Sequence, residues 1–374
     1  MSESLATSEN SRVHKKRNSS IELLRIIAMI MIVAHHFGTH TNWASGGHLI
    51  FNEYWVEILK SFGKIGVGIF FAITGYFLYN RRSFKYRKIF DILIPTWTYS
   101  FIFLIIAILI KDPITKLQFP VNIRLLRLMI PVIANGYWFV TAYVFVFLIS
   151  PYLKKWFDAM SRREITIFLL ITCGFNSILA TFKFLTASTF EFPYIVISPV
   201  ICCLLIGYSV NRFKEQLQNK NWPIFAFTFS TAVLILAPLV LILFSKLGYH
   251  DIPGDLFTNI ASITSLFFIT SILIIFQSFN FISKLIDLIG GATFGIYLIH
   301  DNNIMYYKLW RGQTMNVASH LTLPKIDFVL YSIQTVLGVF LVCLVIELIR
   351  QSIFKLIYKI ISGFFAKRKA HSLN

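Results

Sequence analysis

Two ionisable side chains inside one apolar stretch are the most informative chemistry in this chain. Within residues 20–38, Ile21-Glu22-Leu23-Leu24-Arg25 leads into an uncharged run from Ile26 to Ala34, and His35-His36-Phe37 follows. At about 100° per residue, Arg25 and His36 come within ~20° of one helix face and ~16.5 Å apart along the axis, whereas His35 falls ~80° away. An imidazole titrates close to neutrality, so His36 suits removal of a proton from a hydroxyl. Arg25 suits an anionic ligand, or Glu22 one turn earlier. The competing reading is that Arg25 snorkels to lipid headgroups and the histidines only cap the far end of the helix.

Other residues could share that chemistry. Arg81, Arg82, Lys85, Arg87 and Lys88 fall within nine positions, a density that suits a polyanion or simply marks a cytoplasmic loop. His300 ends a later apolar run, with Asp301 beside it to fix its tautomer. Tyr137 and Trp138 stand where an apolar run begins and would serve an aromatic belt or stack on a sugar. Gly68, Ala72 and Gly75 form a small-residue face for close helix packing, with Thr74 available to hydrogen-bond in the bundle or toward a ligand. His40, Trp43, His48, Glu53, Trp55 and Glu57 crowd segment 38–62, a mix that suits contact with a glycan. Glu347 and Arg350, three apart, neutralise each other. Cys173, Cys202, Cys203 and Cys343 all lie in apolar runs and read as buried thiols, and no metal-ligand set is read from the sequence. There is no phosphate-binding loop, dinucleotide fingerprint or HExxH.

The elements that must position these groups are transmembrane helices. Of 374 residues, 56% are hydrophobic and 14% charged, and the mean hydropathy is +0.68. Soluble domains carry nearer a quarter charged residues. The reading is an all-α polytopic membrane bundle of about ten helices, at 20–38, 63–79, 89–110, 136–153, 165–182, 193–210, 222–245, 257–276, 283–305 and 330–354. With both termini inside, 22 of the 35 Lys and Arg fall in cytoplasmic segments and 11 in outer ones. The net charge of +18 is therefore sorted by topology, which argues against nucleic acid as a partner. This topology puts the long segments 38–62, 111–135 and 306–329 outside. Residues 1–19 read as a disordered basic leader, 20–354 as the membrane domain and 355–374 as a basic cytoplasmic tail, disordered from Lys367 to Asn374. Arg25, His35 and His36 interrupt the apolar run too strongly for a secretory signal.

The segment Ile21-Glu22-Leu23-Leu24-Arg25 to His35-His36-Phe37 resembles the opening span of the membrane acyltransferase-3 family, whose signature is an arginine, ten residues, then a histidine. Gly66-Val67-Gly68-Ile69-Phe70-Phe71-Ala72-Ile73-Thr74-Gly75-Tyr76 is similar to its second-span motif, with Thr where Ser is usual. Tyr137-Trp138-Phe139-Val140-Thr141-Ala142-Tyr143, continuing to Ser150-Pro151, and Gly295-Ile296-Tyr297-Leu298-Ile299-His300 resemble two further family motifs. One departure stands out: before Pro95 the family often has Arg-x-x-Arg, and here Asp91 takes the place of the second arginine.

The resemblance implies an O-acetyltransferase in a bacterial plasma membrane, moving an acetyl or longer acyl group from cytoplasmic acyl-CoA to a hydroxyl of a surface glycan. It implies no permanently bound cofactor, acetyl-CoA being the donor substrate. Arg25 and His36 are the catalytic candidates, assisted by His300, with His36 acting as base or as a covalent acyl relay. Arg25, Arg81, Arg82, Arg87, Lys88 and Thr74 are expected to hold the donor, and His35, Tyr137, Trp138 and Asp301 the acceptor. Partners are then acyl-CoA, a glycan, membrane lipid and, in one version, a separate extracytoplasmic protein that completes delivery. The rival class is a transporter or flippase of a glycan precursor, which would explain many spans but lacks an evident internal repeat. A membrane sensor or scaffold is a third reading.

Overall fold

A computed structural model describes residues 18–41, 43, 50–109, 129–132, 137–185, 197–217, 220–247, 259–260, 262–302, 305–311 and 317–371. Among the described residues there is no strand, and ten helices of sixteen residues or more make up the fold. They are α1 (Ser19–His40), α2 (Ile50–Tyr79), α3 (Phe90–Leu109), α4 (Trp138–Ala159), α5 (Arg162–Leu185), α6 (Ile197–Arg212), α7 (Trp222–Lys246), α8 (Ile263–Ser278), α9 (Lys284–His300) and α10 (Lys325–His371). Four stretches are long and apolar enough to cross a membrane: Ser19–His40, Tyr86–Ile106, Trp222–Phe244 and Lys325–Gly363. Large apolar side chains stand exposed along them, among them Phe101 and Ile105 on α3, Phe225 and Phe229 on α7 and Leu341 and Val345 on α10. Water would not tolerate so continuous an apolar surface, and lipid would.

Helix α1 is the central element, buried along most of its length and packed on α2 and α9. Asn18 caps it, its side-chain oxygen accepting from the Ser20 amide at 3.0 Å. Ser19 then ties this end to the start of α9: its Oγ accepts from the Ser283 amide at 2.8 Å and donates to Asp287 at 2.7 Å. At the other end His36 meets His300. Both ties join residues 264 apart, so α1 and α9 run parallel in constant register.

Glycines set how closely the other helices approach. A Cβ at Gly75 would lie 1.9 Å from the Leu204 carbonyl oxygen, and one at Gly207 would lie 1.7 Å from that of Ala72. The small-residue face of α2 is therefore where α6 packs, backbone on backbone. On α9, Gly290 leaves room for Glu22 and Gly295 for Glu347, since a Cβ at either would sit 2.6 and 2.1 Å from those side chains.

Two sequence expectations are corrected. Helix α2 is 30 residues long, so Asn52 to Ser61, expected in an outer loop, are helical. Asn52 donates to the Leu321 and Leu323 carbonyls and Trp55 to Ser332, which docks this polar half on the start of α10. Glu53, Trp55 and Glu57 are thus helix residues. The end expected to be disordered from Lys367 is helical to His371, because α10 continues for 47 residues. Residues 1–17, His48, most of segment 111–135, and 372–374 lie outside the described residues.

Candidate active site

The His36 end of the α1–α9 pair holds a compact polar cluster. His300 is fully buried, and its Nδ1 lies 2.7 Å from the Ile296 carbonyl. A carbonyl only accepts, so Nδ1 of His300 carries the proton and its Nε2 accepts. The donor is His36 Nδ1–H, at 3.0 Å. In this neutral tautomer His36 keeps its lone pair on Nε2, the atom a base needs. Asp301, the residue after α9, sets Oδ1 3.6 Å from His36 Nδ1 and 3.5 Å from His40 Nε2. Its negative charge favours any positive charge that develops on the imidazoles.

His40, one turn beyond His36, stacks on it with ring centroids 4.4 Å apart. Sequence reasoning assigned His40 to an outer loop, yet it closes this cluster. Its spacing of four from His36 was the available signal, but the partner they share, Asp301, comes from the far end of the chain.

Tyr137 and Asn302 brace the same corner. Tyr137 donates to the Leu298 carbonyl at 3.0 Å and accepts from Asn302 at 2.6 Å, so its hydroxyl is committed to holding the end of α9. Both are buried. Asn302, adjacent to Asp301, was missed in the sequence. His35 turns the other way: its Nδ1 donates to the Lys60 carbonyl at 2.6 Å, and Gly63 of α2 provides the space for its ring. Trp138 is 43% exposed and packs edge-on against Phe139. His36, His300, Asp301 and Tyr137 thus come together, while His35 touches this group only through the His36 ring, centroids 5.7 Å apart, and Trp138 packs on Phe139.

The Arg25 end opens onto two cavities of about 270 Å³ each. Arg25 pairs with the buried Glu22 and still lines both. Thr74, Asp91, Ile92 and Tyr143 also line both, so the cavities are adjoining chambers of one passage. The first adds Arg81, Lys88, Phe147 and Ser150. The second adds Met29, Phe70, Phe139 and Tyr297 and so climbs along α1 and α9. Tyr297 is one turn from His300, with ring centroids 6.1 Å apart. Of the expected donor residues, Arg25, Thr74, Arg81 and Lys88 share this passage, whereas Arg82 and Arg87 are exposed outside its lining. Asp91, noted only as a departure, faces both chambers.

The fold and this site define a membrane-embedded helical protein in which, among the described residues, a basic passage runs up to Tyr297, one turn from a buried histidine pair. The sequence model of the acyltransferase-3 family, described as an acyltransferase domain, matches residues 18–348, and the chain belongs to that family. It is accordingly a membrane acyltransferase. No curated protein and no solved structure gives a significant match.

Proposed function

We propose that the chain is a ten-crossing O-acetyltransferase of a bacterial plasma membrane, with both termini inside, that moves an acetyl group from cytoplasmic acetyl-CoA to a hydroxyl of an extracytoplasmic glycan. The observation that carries this reading is the passage from Arg81 and Lys88 past Arg25 to Tyr297, one turn below the His36–His300 pair. Its basic mouth suits the donor's phosphates. The ~16.5 Å between Arg25 and His36 along α1 suits an extended pantetheine arm.

In this mechanism the glycan hydroxyl hydrogen-bonds to His36 Nε2, which takes its proton as the oxygen attacks the thioester carbonyl. The C–S bond breaks as the ester C–O bond is completed, and the leaving thiolate receives the proton from His36. The imidazolium formed in between is stabilised by Asp301 at 3.6 Å and by the hydrogen bond to His300. His300 is held by the Ile296 carbonyl and positions His36. Tyr297 stands between the upper chamber and the histidines, so the thioester passes that ring to react.

The deciding experiment is mass spectrometry of surface glycans from a deletion strain complemented with wild-type or His36→Ala protein. Acetylation restored by the wild type alone supports the reading. Glycan that reaches the surface only with the wild type, carrying no acetyl group in any strain, would instead support a flippase.

A further inference from the structure

The His36 cluster has a second chemical capacity. His36 and His40 are one helical turn apart on α1, the spacing at which two imidazoles reach one metal ion, and Asp301 brings a carboxylate to both. Asp301 Oδ1 is 3.6 Å from His36 Nδ1 and 3.5 Å from His40 Nε2, and one ligand atom from each residue lies within 4.8 Å of the other two. Tetrahedral zinc with ligand bonds of ~2.0–2.1 Å needs ligand atoms about 3.3 Å apart. The cluster is a few tenths of an ångström from that on two edges. One carboxylate and two neutral imidazoles match the donor preference of zinc rather than of magnesium or calcium.

We propose that His36, His40 and Asp301 form a site for a zinc-class divalent cation, and that its occupation inhibits acyl transfer. The inhibitory part rests on the reading of His36 as the base. A cation bonded to His36 Nδ1 takes the lone pair of that nitrogen, so the proton now on Nδ1 moves to Nε2 and the hydrogen bond to His300 breaks. No proton is lost overall. The basic lone pair of Nε2 is then gone, and the acceptor hydroxyl meets an N–H instead.

The test uses the full chain purified in detergent and titrated calorimetrically with ZnCl2, with MgCl2 as control. Wild type is expected to bind one zinc ion per chain, and His40→Ala and His40→Gln to bind at least tenfold more weakly, with no magnesium binding in any of them. Equal zinc affinity in the wild type and both variants would overturn the site. The inhibitory consequence is read as release of coenzyme A thiol by membranes containing the native acceptor, each protein being compared with its own zinc-free rate. Zinc should slow the wild type at least tenfold, reversibly on adding chelator, and should slow the His40 variants less. A wild type that stops when chelator is added needs the cation, which overturns the inhibitory role. His36→Ala that still transfers overturns the base reading and the inhibition together, while the calorimetry decides the site on its own.

Discussion

Helix α9 borders two buried polar clusters that differ in one respect. Around Glu347 every strong group is answered within the protein. The carboxylate accepts from Tyr99 at 2.6 Å, from Arg350 at 2.8 and 2.6 Å and from Gln351 at 2.8 Å, and Gly295 makes room for it. Around His36 the chain of hydrogen bonds runs from the Ile296 carbonyl through His300 and ends at an imidazole whose outer nitrogen keeps its lone pair. Saturation separates the two: a closed cluster holds helices together, and one with a basic atom left over can do chemistry. Buried charge alone would not have distinguished them, because both lie in apolar surroundings.

That contrast can be broken by substitution. His36→Ala should lower transfer by about 10²–10⁴-fold, the usual contribution of a general base, with the thermal unfolding temperature in detergent nearly unchanged. A folded variant that transfers at the wild-type rate would put His36 in the structural class. Glu347→Ala should do the opposite, destabilising the protein by about 3–5 kcal/mol because Arg350 loses its buried partner. A melting temperature equal to wild type would refute the closed-cluster account. Arg25→Ala should act mainly on the donor, raising the KM for acetyl-CoA by about tenfold or more through loss of a charge-assisted contact of ~1.5–3 kcal/mol. An unaltered KM would make Arg25 a partner of Glu22 only. The smallest effect separates neighbours in one loop: Arg81→Ala should raise that KM by about threefold, in the range of a single modest contact, and Arg82→Ala should leave it unchanged. Equal responses would mean that the loop acts through general charge rather than through the passage.

The sequence made α1 legible because both of its key residues lie on one helix, where an angular repeat is enough to relate Arg25 to His36. It made α9's ending legible through His300 and Asp301. What it obscured was whatever depended on distant chain. Lys60, with Glu53 and Glu57, looks like a loop residue by hydropathy, yet α2 stays helical through all three. Lys60 pairs with Glu57 at 2.5 Å, and Asn52 is buried and donates to the Leu321 and Leu323 carbonyls just before α10. Likewise His40 reads as a loop histidine until the fold brings Asp301 beside it. Tyr137 read as a belt or sugar-stacking ring because its aromatic character was visible and its hydrogen bonds to Leu298 and Asn302 were not.

The two ties between α1 and α9 also bear on how the molecule moves. Fastened at Ser19–Ser283 and again at His36–His300, seventeen residues further along each helix, the pair cannot scissor or slide without breaking a tie. It behaves mechanically as a single strut. Any widening of the passage that admits a bulky ligand therefore has to come from the facing wall, where Asp91 and Ile92 of α3 and Tyr143 and Phe147 of α4 line the chambers. Helix α3 turns Ile94, Trp97, Phe101 and Ile105 outward, while Tyr99 on its inner face ties it to Glu347 of α10. The side of this molecule pinned at both ends is thus α1 with α9.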